Sequence, residues 1–154
     1  MVVRAPWLTQ GYLHDQANSE EHWRGGYLHT KDMGTIDPQA YLRITDRIKD
    51  VIKSGGEWIS SLGLENIISQ CPGISEEAVI ARPDEKWGER PLALIVRKEG
   101  VSQVSAQQIQ AHVSTWAERG IRAIWAVPEV QCVASLDKTS VGKLDKKVLR
   151  QKYG

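Results

Sequence analysis

Near-continuous apolar runs in the second half of the chain predict buried strands. Residues 78–81 and 92–96 are almost entirely aliphatic, which is typical of strands that are covered on both faces. A last strand region is predicted at residues 123–127 and 130–133, where Pro128 interrupts the pattern. These runs indicate a small central sheet.

A period of 3.6 residues predicts helices beside these strands. Leu64, Ile67 and Ile68 share one face of a helix that ends at residues 71–73. A second helix begins at the Ser-x-x-Gln capping box of residues 105–108. Its apolar face carries residues at i, i+4 and i+7: Ile109, Val113 and Trp116.

The first 45 residues are different, because they show no sustained helical period. Residues 1–30 are rich in Gly, His and Trp and predict loops and short strands. A strand pair is predicted at residues 35–36 and 41–44, since the Asp-Pro step between them opens a turn. A strand at residues 50–53 and a glycine turn at residues 54–57 predict a short hairpin.

The order of these elements predicts an α+β fold. From residue 50 onward it is β-turn-β-α-β-β-α-β-loop-α, and the last helix spans residues 144–152. We expect a short hairpin and a central sheet of roughly three strands with helices on its faces. A β-rich segment precedes this domain.

Composition excludes several classes of protein. The chain has 154 residues, of which 41% are hydrophobic and 25% charged, as in globular domains. Its net charge of +1 gives no general attraction to nucleic acid or anionic membranes. No apolar run reaches the ~20 residues of a membrane span, and no secretory signal is recognisable. Two cysteines fit a reducing cytoplasm.

Common catalytic patterns are missing. The four histidines show no metal-ligand spacing, no Cys-x-x-Cys pair occurs, and no Gly-x-Ser-x-Gly elbow is present. Residues 139–143 read Thr-Ser-Val-Gly-Lys but lack the first glycine of a phosphate loop and the Ser or Thr after Lys143. Residues 138–152 contain six basic side chains, which form either a solvated helix face or a phosphate-binding surface.

Three separated stretches together resemble the adenylate-forming superfamily. They are residues 23–32, 41–57 and 138–143, in the order in which that superfamily has its late motifs. The Ser-Gly-Gly-Glu-Trp-Ile-Ser sequence at residues 54–60 is most similar to medium- and long-chain fatty acid–CoA ligases. These enzymes use MgATP to make an acyl-adenylate and pyrophosphate, after which the CoA thiol displaces AMP.

The resemblance implies a domain assignment. Residues 1–46 correspond to the last piece of the large N-terminal domain, and residues 47–154 to the whole mobile C-terminal domain. We expect the acyl pocket and most of the MgATP site to lie in the N-terminal ligase domain, so that this chain is inactive alone. Its expected substrates in a complete enzyme are a fatty or other carboxylic acid, ATP and CoA.

The resemblance also implies roles for single residues. Lys143 corresponds to the adenylation lysine, which supplies positive charge at the reacting carboxylate and α-phosphate. Asp32 and Arg47 correspond to ribose and phosphate contacts, and Lys49 to the hinge of the mobile domain. The CoA side of the site corresponds to four residues: Ser54, Gly55, Gly56 and Glu57. No metal ligand is implied in this chain.

Three positions depart from the family pattern. Lys31 and Ala40 stand where the family usually has glycine, and Asp137 stands where it usually has proline. Lys31 adds bulk and charge beside the nucleotide site, and the loss of proline loosens the loop that carries Lys143. Ala40 is expected to have only a local cost. Lys31 and Asp137 favour an alternative, in which the chain is a nonenzymatic module for protein interaction or weak nucleotide binding.

Two further expectations concern partners. Residues 1–46 would expose aromatic side chains once separated from the large domain, which favours self-association. A third interpretation, nucleic-acid binding by the basic C-terminal helix, is disfavoured by the near-neutral net charge and by the lack of a known reader motif.

Overall fold

The chain forms two compact units in a computed structural model that describes residues 1–100, 104–117 and 126–154. The first unit is Met1–Lys49 and the second is Asp50–Gly154. No helix within the described ranges is both long and apolar enough to cross a bilayer.

The first unit contains a helix that the hydrophobic pattern does not predict. Strand β1 (Val2–Val3) pairs antiparallel with β2 (Leu28–His29), and helix α1 (Gln16–His22) lies between them in sequence. The helix begins where the Asp15 carboxylate accepts the N–H of Asn18. Because α1 buries none of its residues, it leaves no apolar period in the sequence.

The predicted strand pair of the first unit is confirmed. Strand β3 (Asp32–Ile36) pairs antiparallel with β4 (Leu42–Arg47), with an irregular register between Met33 and Gly34. The turn between them is closed by the Asp37 carboxylate, which accepts backbone N–H groups from two turn residues. Ala40 in this turn has a positive φ of 67°.

The second unit is built on one sheet. Its strands are β5 (Ile52–Ser54), β6 (Glu57–Ile59), β7 (Ile74–Asp84), β8 (Gly88–Arg97) and β9 (Glu129–Cys132). The order is β6-β5-β8-β7, and β9 pairs parallel with β8. The predicted hairpin β5–β6 is therefore part of the central sheet, which it joins through the Ser54–Gly88 pair.

Helices cover both faces of this sheet, as predicted. Helices α2 (Ser61–Ile68) and α3 (Ala106–Ala117) pack on one face, and α4 (Lys146–Tyr153) packs on the other. Alternate residues of β7 and β8 enter two separate cores, so both central strands are buried on each side. The predicted capping box is present, since the Gln108 N–H donates to Ser105 Oγ.

The α+β class is thus confirmed, and the remaining differences are local. Strands β7 and β8 extend beyond the predicted apolar runs, because polar residues at their ends still pair along the ladder. The residues 123–125 of the predicted last strand region lie outside the described residues. The basic helix predicted at 144–152 is observed as α4.

Candidate functional site

Asp32 and Arg47 meet across the hairpin of the first unit. They are directly paired residues of β3 and β4, and Arg47 Nε lies 3.4 Å from Asp32 Oδ1. The Asp32 side chain is 21% exposed, whereas that of Arg47 is 62% exposed. The backbone of Asp32 is held in place, because the Asp32 N–H donates to Thr30 Oγ1. The pair therefore presents an acceptor beside an exposed cation.

Lys31 occupies a backbone position suited to glycine. Its φ is +60°, in the left-handed region that costs a side-chain-bearing residue about 1–2 kcal/mol. Its ammonium lies 3.1 Å from Glu21 Oε1, and the contact lowers the pKa of the Glu21 carboxyl. Lys31 also lines cavities of about 310 and 280 Å³ in this unit. The added positive charge is thus paired within the unit.

Lys49 is the last residue of the first unit. Its side chain is exposed, and the chain enters the second unit at Asp50. Asp50 is fixed there, since Arg150 Nη1 of α4 lies 2.9 Å from its Oδ1 and both side chains are largely buried. At this junction, the exposed Lys49 is therefore followed directly by Asp50, which an ion pair holds in place.

The glycine turn of the second unit is a two-residue hairpin loop. Gly55 and Gly56 have φ values of 59° and 84°, as the primed turns of hairpins require. A Cβ at Gly55 would lie 2.9 Å from the Trp87 ring, whereas a Cβ at Gly56 would meet no atom within 4 Å in the described part of the chain apart from its sequence neighbours. Glycine at position 55 is therefore required by Trp87 as well as by φ. Ser54 is fully buried beside this turn, and its Oγ has no hydrogen-bond partner among the described residues.

Two cation–π pairs flank the glycine turn. Lys53 Nζ lies 5.3 Å from the centre of the Trp58 ring, and Lys86 Nζ lies 4.7 Å from that of Trp87. The backbone of the turn is held by Trp87, whose carbonyl accepts the Gly55 N–H. Sequence reasoning missed Trp87 because its contact with Gly55 depends on strand pairing between distant segments.

Lys143 closes a small, well-bonded hairpin. Residues 138 and 144 form a β-bridge, and the Thr139 N–H donates to the Lys143 carbonyl over 2.7 Å. The Gly142 N–H donates to the Thr139 carbonyl, and Gly142 has a φ of 78°. This combination is a type of three-residue hairpin loop that needs a left-handed third residue. The loop is ordered by its own hydrogen bonds, without the family proline.

Ion pairs hold most of the basic residues around this loop, and Lys143 and Lys147 are the exceptions among the described residues. Four of the six basic residues of 138–152 are paired: Lys138 with Glu76 (2.8 Å), Lys146 with Glu65 (2.7 Å), Arg150 with Asp50 (2.9 Å) and Lys152 with Asp137 (3.0 Å). Lys143 and Lys147 are exposed and make no ion pair with any described residue.

Asp137 has a clear structural function in place of the family proline. Its carboxylate pairs with Lys152 of α4, and this contact raises the pKa of the Lys152 ammonium. The opposite strand of the loop is tied by the Asp145 N–H, which donates to the Asp137 carbonyl. No pattern in the sequence indicated this pair, because its members belong to different elements.

The predicted residues therefore fall into three groups. Asp32 and Arg47 share the first unit with Lys49 at its end, while the glycine turn and Lys143 occupy separate loops of the second unit. Within the described ranges, no three His, Cys, Asp or Glu side chains cluster in a way that could hold a metal ion.

Comparison with known proteins identifies the family. Residues 63–143 match the model of the AMP-binding enzyme C-terminal domain. The chain is 36% identical over 152 residues to a peroxisomal acetate/butyrate–CoA ligase of Arabidopsis thaliana, and 37% identical over 153 residues to a long-chain-fatty-acid–CoA ligase of Thermus thermophilus. These matches cover 99% and 98% of this chain, but only 26% and 27% of the relatives.

A solved structure agrees in fold along nearly the whole chain. ATP-bound MatB from Rhodopseudomonas palustris superposes with a TM-score of 0.85 at 30% identity, over 99% of this chain and 29% of MatB. The chain thus spans about a quarter of the length of the ligases that it matches. It belongs to the AMP-binding enzyme C-terminal domain family.

Proposed function

We propose that this chain is the C-terminal part of an ATP-dependent, AMP-forming fatty acid–CoA ligase. In this proposal, residues 1–46 complete the large N-terminal ligase domain, and residues 47–154 form the mobile domain. Family membership and the acyl–CoA ligase relatives support the reaction class. The fatty-acid substrate is supported by the sequence at residues 54–60, and the relatives include ligases for acetate or butyrate as well as for long chains.

The state of Lys143 is the observation that carries the proposal. Its ammonium is exposed at an ordered hairpin, while four neighbouring cations pair with carboxylates of the same unit. A lysine on a flexible stem can carry a point charge into a site on another domain. There it would hold the substrate carboxylate near the α-phosphate and stabilise the negative charge that develops. Loss of one such donor costs about 10²–10³ in rate.

The first unit offers the nucleotide contacts of the proposal. The Asp32 carboxylate can accept hydrogen bonds from both ribose hydroxyls, because an ionised carboxylate has about four acceptor positions. Arg47 Nε lies 3.4 Å from this carboxylate, and the Arg47 side chain is exposed enough to reach a phosphate oxygen. ATP would bring Mg²⁺, with most of their contacts made by the N-terminal ligase domain.

The turn at residues 54–57 is proposed to lie along the CoA thiol arm. Gly56 supports this, because its position is open and a ligand can approach the backbone there. Lys49 is the proposed hinge, since a change of φ and ψ at one exposed linker residue can redirect a domain. Two ligand-facing loops on one unit suit a domain that serves two reaction steps.

A fusion protein tests the proposed function. The N-terminal part of the Thermus thermophilus relative, followed by this chain in place of the matching C-terminal quarter, is assayed for fatty acid-dependent pyrophosphate release. We expect release from the fusion and none from either part alone. Lys143→Ala should abolish the restored release, whereas Lys147→Ala, also an exposed unpaired lysine, should leave it within about twofold.

The alternative is a nonenzymatic module for protein interaction or weak nucleotide binding. Lys31 favours it, because a lysine with a positive φ stands where glycine is expected next to the ribose contact. Fusions of this chain to several different N-terminal ligase domains would support the alternative if each of them folds but none releases pyrophosphate. Self-association through residues 1–46 and a cytoplasmic location stay predictions under either function.

A further inference from the structure

We propose that Val141 is an apolar anchor that seats the Lys143 hairpin on the N-terminal ligase domain during adenylation. The side chain of Val141 is 76% exposed at the tip of this hairpin. Val141 is the only exposed valine among the described residues of the second unit. Val51, Val79, Val104 and Val113 are at most 8% exposed, and the other described valines are partly buried. The inference rests on the proposed function.

Local structure gives no reason for valine at position 141. It is a central residue of the turn closed by the Gly142 N–H and the Thr139 carbonyl, where Asn, Asp, Ser and Gly are favoured. A β-branched apolar side chain brings neither a turn-forming hydrogen bond nor conformational freedom to this position. The left-handed position that the turn needs is supplied by Gly142 instead. Val141 therefore suits a contact outside the second unit.

The hairpin is held firmly enough to present its tip. Its two strands are tied by the Thr139–Lys143 hydrogen bond, and its base is fixed by the pairs of Lys138 with Glu76 and of Asp137 with Lys152. A fixed loop loses little conformational entropy when it docks, so an apolar contact at its tip adds directly to binding. In a mobile loop, the free energy gained from that contact would be offset by the cost of ordering the loop.

Distance along the chain identifies the occupant. Val141 is two residues from Lys143, so their Cα atoms are at most about 7 Å apart. At this separation, a surface that receives the Lys143 ammonium is close enough to contact Val141 as well. The ligases that this chain matches are almost four times its length, and the remaining part contains the domain to which Lys143 is proposed to reach. The anchor accordingly needs an apolar patch on that domain beside the adenylation centre.

Four variants of the fusion protein test the anchor. Val141→Asp should lower kcat/KM for acyl-adenylate formation by about 10- to 100-fold, the effect of losing one buried valine contact. Val141→Ile, which keeps an apolar β-branched side chain, should stay within about threefold of the unchanged fusion. Ser140→Asp, with the same new charge at the neighbouring exposed position, should cost less than about threefold. Lys143→Ala is measured in parallel.

A second measurement separates anchoring from folding. Thioester formation from supplied acyl-adenylate should be unchanged in Val141→Asp, because the proposed contact is made during adenylation. The Tm of the isolated chain should also be unchanged, because the side chain is exposed in this unit. Equal losses for Val141→Asp and Ser140→Asp, equal losses in both half-reactions, or a lowered Tm would each overturn the inference. If Lys143→Ala is inactive in adenylation while Val141→Asp is fully active, the inference fails and the proposed function stands. An unchanged fusion that forms no adenylate contradicts both.

Discussion

The two units of this chain differ in where their apolar side chains lie. In the second unit, both faces of the β7–β8 ladder are covered, and residues such as Ile80, Leu94 and Ile95 have no exposed area. In the first unit, all of whose residues are described, Leu28 is the one buried apolar residue, while Trp7 and Leu13 are more than 80% exposed. The second unit supplies its own core, whereas the first has the character of a surface layer.

This difference explains how function is distributed in the proposal. A unit with its own core can move as a body and can carry exposed groups such as Lys143 to another domain. A unit without a core needs a neighbouring surface to cover its apolar residues. The first unit accordingly suits a role as the edge of a larger domain, with Asp32 and Arg47 as its contribution.

Core truncation should separate the two units most strongly. Leu94→Ala should lower the free energy of unfolding of the second unit by about 2–5 kcal/mol, because it empties a fully buried position. Leu42→Ala, at a half-exposed position of β4, should change stability by less than about 0.5 kcal/mol. Urea unfolding followed by circular dichroism measures both, and similar losses would contradict the contrast.

The glycine turn tests the contacts within the second unit. Gly55→Ala should cost about 1–3 kcal/mol beyond the cost of the positive φ, since its Cβ would collide with the Trp87 ring. Gly56→Ala has a similarly positive φ but open space, so it should pay about 1–2 kcal/mol for φ alone. Thermal unfolding should therefore give a lower Tm for Gly55→Ala than for Gly56→Ala. Equal Tm values would contradict the predicted collision with the Trp87 ring.

The first unit should be improved by a glycine. Ala40→Gly should stabilise the β3–β4 turn by about 1 kcal/mol, because Ala40 has a φ of 67° that glycine adopts freely. Hydrogen exchange of the Asp37 N–H, which donates to the Tyr41 carbonyl, should slow in the variant. Faster exchange at this amide would show that the alanine is not strained.

Even the well-packed unit contains an unfavourable charge at Glu77. Burial, together with the Glu65 and Glu76 carboxylates, raises the pKa of Glu77. The ionised form therefore destabilises the folded state, and its effect on stability is lost as the pH falls below the ordinary carboxyl pKa. Glu77→Gln should raise the Tm slightly at pH 7.5 and leave it unchanged near pH 3. An advantage that grows on acidification would reverse the sign of this account.

The sequence predicted the second unit better than the first for a physical reason. Buried strands and helices have regular patterns of apolar residues in their sequences. Residues such as Ile80, Leu94 and Ile109 therefore predicted the elements that contain them. Helix α1 buries none of its residues, so its sequence shows no apolar period.

The site was predictable only where its signals are local. The positive φ values at Gly55 and Gly56 agree with the glycine turn that the sequence predicts at residues 54–57. The contacts that shape this turn and the Lys143 hairpin, from Trp87 to Gly55 and from Lys152 to Asp137, join residues that are distant or on different elements. Such contacts depend on tertiary packing, so no short motif encodes them.

The proposed role of Lys143 is tested most directly by separating the two half-reactions in the fusion protein. Lys143→Ala should lower acid-dependent ATP–pyrophosphate exchange by at least about 10²-fold. It should leave thioester formation from supplied acyl-adenylate and CoA within about twofold of the unchanged fusion, and Lys147→Ala should preserve both steps. Equal losses in the two half-reactions, or full exchange activity without the Lys143 ammonium, would contradict the account.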